Sequence, residues 1–98
     1  MSGEKILTLN PRKGKSGARI SRDKYELMRT AIIDTLGESD HLTFSALRTE
    51  VESKLTGDFD GSISWYYTTV KLDLEARGIV KRFRKGSPQK LQLDTFVE

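Results

Sequence analysis

Residues 62–96 read SISWYYTTVKLDLEARGIVKRFRKGSPQKLQLDTF. Three segments are legible in this stretch. From Ser62 to Arg77 apolar residues recur at helical spacing, and Gly78 then supplies a stop. Ile79 to Lys85 is β-branched, aromatic and cationic, as in an extended strand. Gly86, Ser87 and Pro88 form a turn, and Lys90 to Leu93 runs back. Helix followed by basic hairpin is the pattern that decides the fold.

At about 100° per residue, Ile63, Tyr67, Val70 and Leu74 fall on one narrow face of this helix and define its core side. Trp65, Leu72 and Ala76 fall opposite, flanked by Thr68 and Thr69. The helix therefore carries a second apolar stripe, which a simple surface helix does not need. Either the apolar residues Ile6 and Leu9 near the N-terminus cover it, or Trp65 and Leu72 form a protein interface, or Trp65 contacts nucleic acid.

Upstream, Ser21 is a good N-cap with Asp23 in the first turn. Tyr25, Met28, Ile32 and Leu36 form a buried stripe that Leu27, Ala31 and Ile33 widen, and Gly37 is the expected stop. Leu42 and Phe44 alternate with polar neighbours as a very short strand. Thr43 or Ser45 caps a second helix whose line is Leu47, Val51 and Leu55. Gly57 to Gly61 is a turn in which Phe59 plugs back into the core, and Ser62 or Asp60 caps the third helix. Residues 1–20 read as a basic arm, in which Ile6 to Leu9 adds a short strand or packs as an apolar tether. Residues 21–98 read as one domain. The order helix, strand, helix, helix, strand, turn, strand predicts an α+β winged helix-turn-helix: three helices, a small antiparallel sheet and one wing.

The residues also resemble a family. The pair Trp65 and Tyr66, then Thr69 and Val70, then Leu72 to Gly78, with Pro88 downstream, resemble a small bacterial family of winged helix-turn-helix proteins without an assigned function. Asn10 and Pro11 with Gly14 and Lys15, and helix 1 from Tyr25 through Ala31 and Ile32, look similar too. The segment Leu74 to Val80 is similar to the end of the recognition helix in many winged-helix transcription regulators. The resemblance implies the fold and makes DNA binding and transcription regulation the leading expectation. Thr68 departs from the pattern, where Lys is more usual.

Composition narrows the function classes. A chain of 98 residues is one domain, and 36% hydrophobic with 32% charged residues suits a globular protein. With no cysteine there is no disulfide, thiol nucleophile or thiolate metal site. No apolar run is long enough to span a bilayer, and no signal-peptide core is present, so the expectation is a cytoplasmic protein without a membrane partner. The net charge of +3 hides a strong asymmetry: residues 1–24 carry +5, residues 25–76 carry −6, residues 77–90 carry +6 and the last eight carry −2. An acidic helical body lies between two basic segments, as for a chain whose ends meet a polyanion.

The expected DNA contacts follow from that asymmetry. Lys81, Arg82, Arg84, Lys85 and Lys90 on the wing and Arg12, Lys13, Lys15 and Arg19 on the arm would neutralise phosphates. The start of helix 3 would approach the major groove through Ser62, Ser64, Trp65, Thr68 and Thr69, with Lys71 toward phosphate. Asp58, Asp60 and Asp73 lie nearby and would repel a duplex, so the wing and arm are expected to lead. The alternatives are that the basic ribbon only discourages strand pairing, that the arm is a solvated tail, and that the scaffold serves as a homodimer or protein-interaction module through Trp65 and Leu72.

No catalytic centre is expected. Gly14, Lys15 and Ser16 imitate the end of a phosphate-binding loop, but the required first Gly would stand where the chain has Leu9. His41 is alone and cannot make a convincing metal site without cysteine. Glu50 with Glu52, and Asp73 with Glu75, are two apart on helices and share no face. The reading is non-enzymatic, without metal or cofactor.

Overall fold

A computed structural model describes residues 4–10, 17–38, 42–57, 59, 61–83 and 90–93. The elements are β1 (Lys5–Leu7), β2 (Arg19–Ser21), α1 (Arg22–Gly37), β3 (Leu42–Thr43), α2 (Phe44–Leu55), α3 (Ile63–Ala76), β4 (Val80–Phe83) and β5 (Lys90–Leu93). The architecture is α+β, with three helices and two small antiparallel sheets. β1 pairs with β2, and β5 lies between β3 and β4.

The helices begin on hydroxyl caps. Ser21 Oγ accepts from the Lys24 amide, Thr43 Oγ1 from Ala46 and Ser62 Oγ from Trp65. Each satisfies an amide that the first helical turn leaves unpaired. Thr43 and Ser62 are thus the caps of α2 and α3, and Phe44 opens α2 instead of extending the strand. α3 ends as its glycine dictates. Gly78 has φ 81°, its amide reaches Glu75 O, and the Ile79 amide reaches Leu74 O at 2.9 Å, the paired bonds of a Schellman stop. α1 ends differently. Gly37 is its last helical residue with no positive φ, and Glu38 takes the cap position.

The core is where the periodicities put it. Met28, Ile32 and Leu36 of α1, Leu47, Val51 and Leu55 of α2, and Tyr67, Val70 and Leu74 of α3 are buried, closed by Ile20, Val80 and Leu91 from the strands. Ile63 and Phe59 are half-buried against this cluster. Leu27 departs from expectation: it stays 44% exposed and adds nothing to the buried stripe.

The N-terminal segment is built into the fold. β1 and β2 pair in the register Lys5↔Ser21, Ile6↔Ile20 and Leu7↔Arg19, and the outer amide of Arg22 reaches Glu4 O. Beyond β1, Thr8 is buried. Its amide and hydroxyl both donate to Ala18 O, and its hydroxyl accepts from the Ala18 amide at 2.8 Å. Gly17 is required there, because a Cβ would run into the Thr8 hydroxyl and backbone carbonyl. Ser21 both ends β2 and caps α1, so arm and body are continuous.

Candidate functional site

The polar side chains converge on α3. Asp73 is fully buried. Its Oδ1 accepts from the Leu9 amide at 2.8 Å, its Oδ2 from the Tyr25 hydroxyl at 2.5 Å, and Arg77 Nε lies 2.8 Å from Oδ2. One carboxylate thereby joins the segment after β1, helix α1 and its own helix. Burial, reinforced by the hydrogen bond to Asp73, pushes the Tyr25 hydroxyl up to about 12. One face round, Glu75 accepts from Lys71 Nζ at 2.9 Å and from Arg82 at 2.6 Å, and its side chain is only 6% exposed. Lys71 is itself buried, with Nζ 5.1 Å from the Phe44 ring centre.

This arrangement revises two sequence expectations. Asp73 does not face a ligand across open solvent, because it is inside the molecule and bonded to Arg77. Lys71 does not project from the helix, since its ammonium is held by Glu75. Both acids of α3 are engaged internally. The i, i+4 spacing of Asp73 and Arg77 was the available sign of this pairing. Tyr25 and the Leu9 amide, distant in sequence, gave none.

The outward side of α3 is consequently uncharged. Ser62 and Ser64 are exposed, Trp65 is 48% exposed, and Thr68 and Thr69 are half-buried. Trp65 stands edge-on to Tyr66 at 4.9 Å, and Tyr66 edge-on to Phe59 at 5.1 Å. Lys24 Nζ lies 5.4 Å from the Tyr66 ring centre. The second apolar stripe is therefore split. At the Leu72 end the segment around Thr8, Leu9 and Ala18 closes over the helix and leaves a cavity of about 230 Å³. Trp65 remains in solvent at the other end. Ile6 packs against the main core.

The strands carry the described cations of the wing and arm. Lys81 and Arg82 are exposed on β4, and Lys90 is half-buried on β5. Directly opposed residues share a face. The register Lys81↔Gln92 and Phe83↔Lys90 thus puts Lys81 and Lys90 on the face opposite Val80 and Leu91. Arg82 lies on the core face and turns to Glu75. Arg19 is exposed on β2. Arg12, Lys13 and Lys15 of the arm, Arg84, Lys85 and the wing tip 86–89, together with His41, Asp58 and Asp60, lie outside the described residues.

Among the described residues no cluster of His, Cys, Asp or Glu has the makings of a metal site, and no helix is long and apolar enough to cross a membrane. No curated protein and no solved structure matches the chain. The model of one family, described as a family of unknown function (DUF6958), matches residues 5–91, and the chain belongs to that family.

Proposed function

We propose that the chain is a winged helix-turn-helix module that binds double-stranded DNA without catalysing a reaction and acts in transcription regulation. The helix α3 running into an antiparallel hairpin, with β5 between β3 and β4, supports the winged-helix reading. The observation that carries the DNA reading is the internal engagement of both α3 acids. Asp73 and Glu75, in the C-terminal half of α3, are taken up by Tyr25, Arg77, Lys71 and Arg82, and the N-terminal half, with Ser62, Ser64, Trp65, Thr68 and Thr69, has no carboxylate of its own. A helix fits the major groove, where hydroxyls reach base edges or phosphates. Lys81 and Lys90 share the outer face of the hairpin, as a phosphate-following ribbon requires.

Trp65 is the only tryptophan in the chain, so its fluorescence reports on this face without labelling. Titration with random-sequence duplex at low salt should change that emission saturably, and the change should reverse on adding salt. An emission indifferent to duplex, together with no shift of a labelled duplex in gel electrophoresis, would overturn the reading. The second reading is a protein-interaction module anchored on Trp65. Its half exposure favours this, because large aromatic anchors dominate binding energy at interfaces. A protein partner lost on Trp65→Ala, with duplex binding absent, is its expected signature.

A further inference from the structure

Helices α1 and α2 leave a groove away from α3. Leu27, Ala31 and Leu55 form its apolar floor, and Leu27 is 44% exposed there. The cavity holds about 520 Å³ and is open to solvent. Asp23, Glu26 and Asp34 stand around it with Lys54. Lys54 is already paired with Glu38 at 3.3 Å, and Glu26 lies 3.7 Å from Arg22, which bonds Glu4 more closely. Asp23 and Asp34 are exposed and take part in no ion pair among the described residues. Asp23 has a local role at the start of α1, where a carboxylate suits the helix dipole. Asp34, in the last third of the same helix, gains nothing from that dipole.

The complementary surface is on the same molecule. In the β1–β2 hairpin the register puts Ile6 and Ile20 on the core side. Lys5, Leu7 and Arg19 therefore share the outer face. All three are exposed, and Leu7 at 50% is the most exposed large apolar side chain described. Neither Lys5 nor Arg19 is in an ion pair among the described residues. One surface is thus a single exposed leucine between two cations, and the other is an apolar groove with an acidic border. Isolated exposed leucines are ordinary. An exposed leucine flanked by two cations, and an apolar groove bordered by carboxylates, are surfaces of complementary shape and charge through which like molecules can recognise each other.

We propose that the α1–α2 groove is a self-association site, occupied by the outer face of the β1–β2 hairpin of a second copy of this chain. Leu7 seats against Leu27, Ala31 and Leu55, while Lys5 and Arg19 face Asp23, Glu26 and Asp34. This surface is separate from Trp65 and from the proposed DNA face on α3 and the β4–β5 hairpin, but it claims Arg19, which the sequence reading assigns to a phosphate contact of the arm.

The test is sedimentation of nuclease-treated protein, free of DNA, over roughly 10 to 500 µM and at two salt concentrations. The wild-type chain should self-associate, more strongly at low salt. Leu27→Lys should weaken this by roughly tenfold or more. Arg19→Glu alone and Asp34→Lys alone should each do the same. Mixing those two variants should restore association, because each arm then meets a groove of opposite charge. All the substituted positions are exposed, so thermal unfolding followed by circular dichroism should show folded variants. A wild-type chain that stays monomeric throughout would overturn the proposal, even if the groove takes up a cationic peptide. So would association that ignores Leu27→Lys but disappears on Trp65→Ala, or a mixture of the charge variants that remains monomeric.

Discussion

Asp73 ties the segment after β1 and helix α1 to α3. Leaving a buried donor without its partner typically costs about 1–3 kcal/mol. Asp73→Ala would do this to the Tyr25 hydroxyl and the Leu9 amide, while Arg77, whose side chain is 36% exposed, would turn to water, so a loss of about 1–3 kcal/mol is expected in urea unfolding. Tyr25 makes the network sensitive to alkali. Its hydroxyl ionises near 10 in an ordinary setting and at about 12 in the fold, chiefly because it is buried and then because it donates to Asp73. The unfolded chain therefore releases this proton first as pH rises. The contribution is complete below the unfolded value and is lost as pH climbs through the folded one. Burial pushes Tyr67 in the same direction. Urea midpoints measured at about pH 9 and about pH 11 should fall with pH in the wild-type chain. The fall should be smaller, though still present, in Tyr25→Phe. An unchanged slope in that variant would remove Tyr25 from the explanation.

At the scale of elements, the β1–β2 hairpin depends on Gly17. A side chain there would press on the Thr8 hydroxyl and on its backbone carbonyl, and backbone has nowhere to rotate. Gly17→Ala is expected to cost about 1–3 kcal/mol, the usual penalty of forced overpacking. The loss should be local. Amide hydrogen exchange should speed up at Thr8, Leu9 and Ala18, whose bonds hold the segment to itself and to Asp73, while Met28 and Val70 keep their protection. Uniform acceleration across the core would show instead that the hairpin and body unfold as one unit. The same region marks the limit of the sequence. Stripes such as Tyr25, Met28, Ile32 and Leu36, or Leu47, Val51 and Leu55, were legible because local periodicity and long-range burial agree in a helix. Ile6 to Leu9 carried too few residues to choose between strand and tether. Nothing local shows that Gly17 lies against Thr8. Asp73, Glu75 and Lys71 were legible as charges but not as buried ones, because burial of a charge depends on partners such as Tyr25 and Arg82 that only tertiary packing supplies. Leu27 failed for the opposite reason: it is apolar and at a permissible spacing, yet none of the described elements packs over it.

For the whole molecule, the consequence of these pairings is that formal charge overstates what a polyanion meets. The segment 77–90 carries six cations by sequence, but Arg77 is bonded to Asp73 and Arg82 to Glu75. Each phosphate neutralised on a duplex releases condensed counterions, so log K falls with log salt by about 0.9 per phosphate. That slope counts the cations that act on phosphate, which a tally of charged residues cannot do. If the proposed DNA reading holds, Lys90→Ala should lower the slope for random duplex by up to about 0.9, the value for one phosphate left without a cation. Arg82→Ala should leave the slope nearly unchanged, because its charge is already matched by Glu75. It should instead lower stability, since Glu75 would keep only Lys71 as partner in a nearly buried position. Fluorescence titrations over a salt series, paired with urea unfolding of the same variants, separate these outcomes. A slope that drops by about 0.9 in Arg82→Ala would mean that the Glu75 pair opens on the duplex and that formal charge was the better guide.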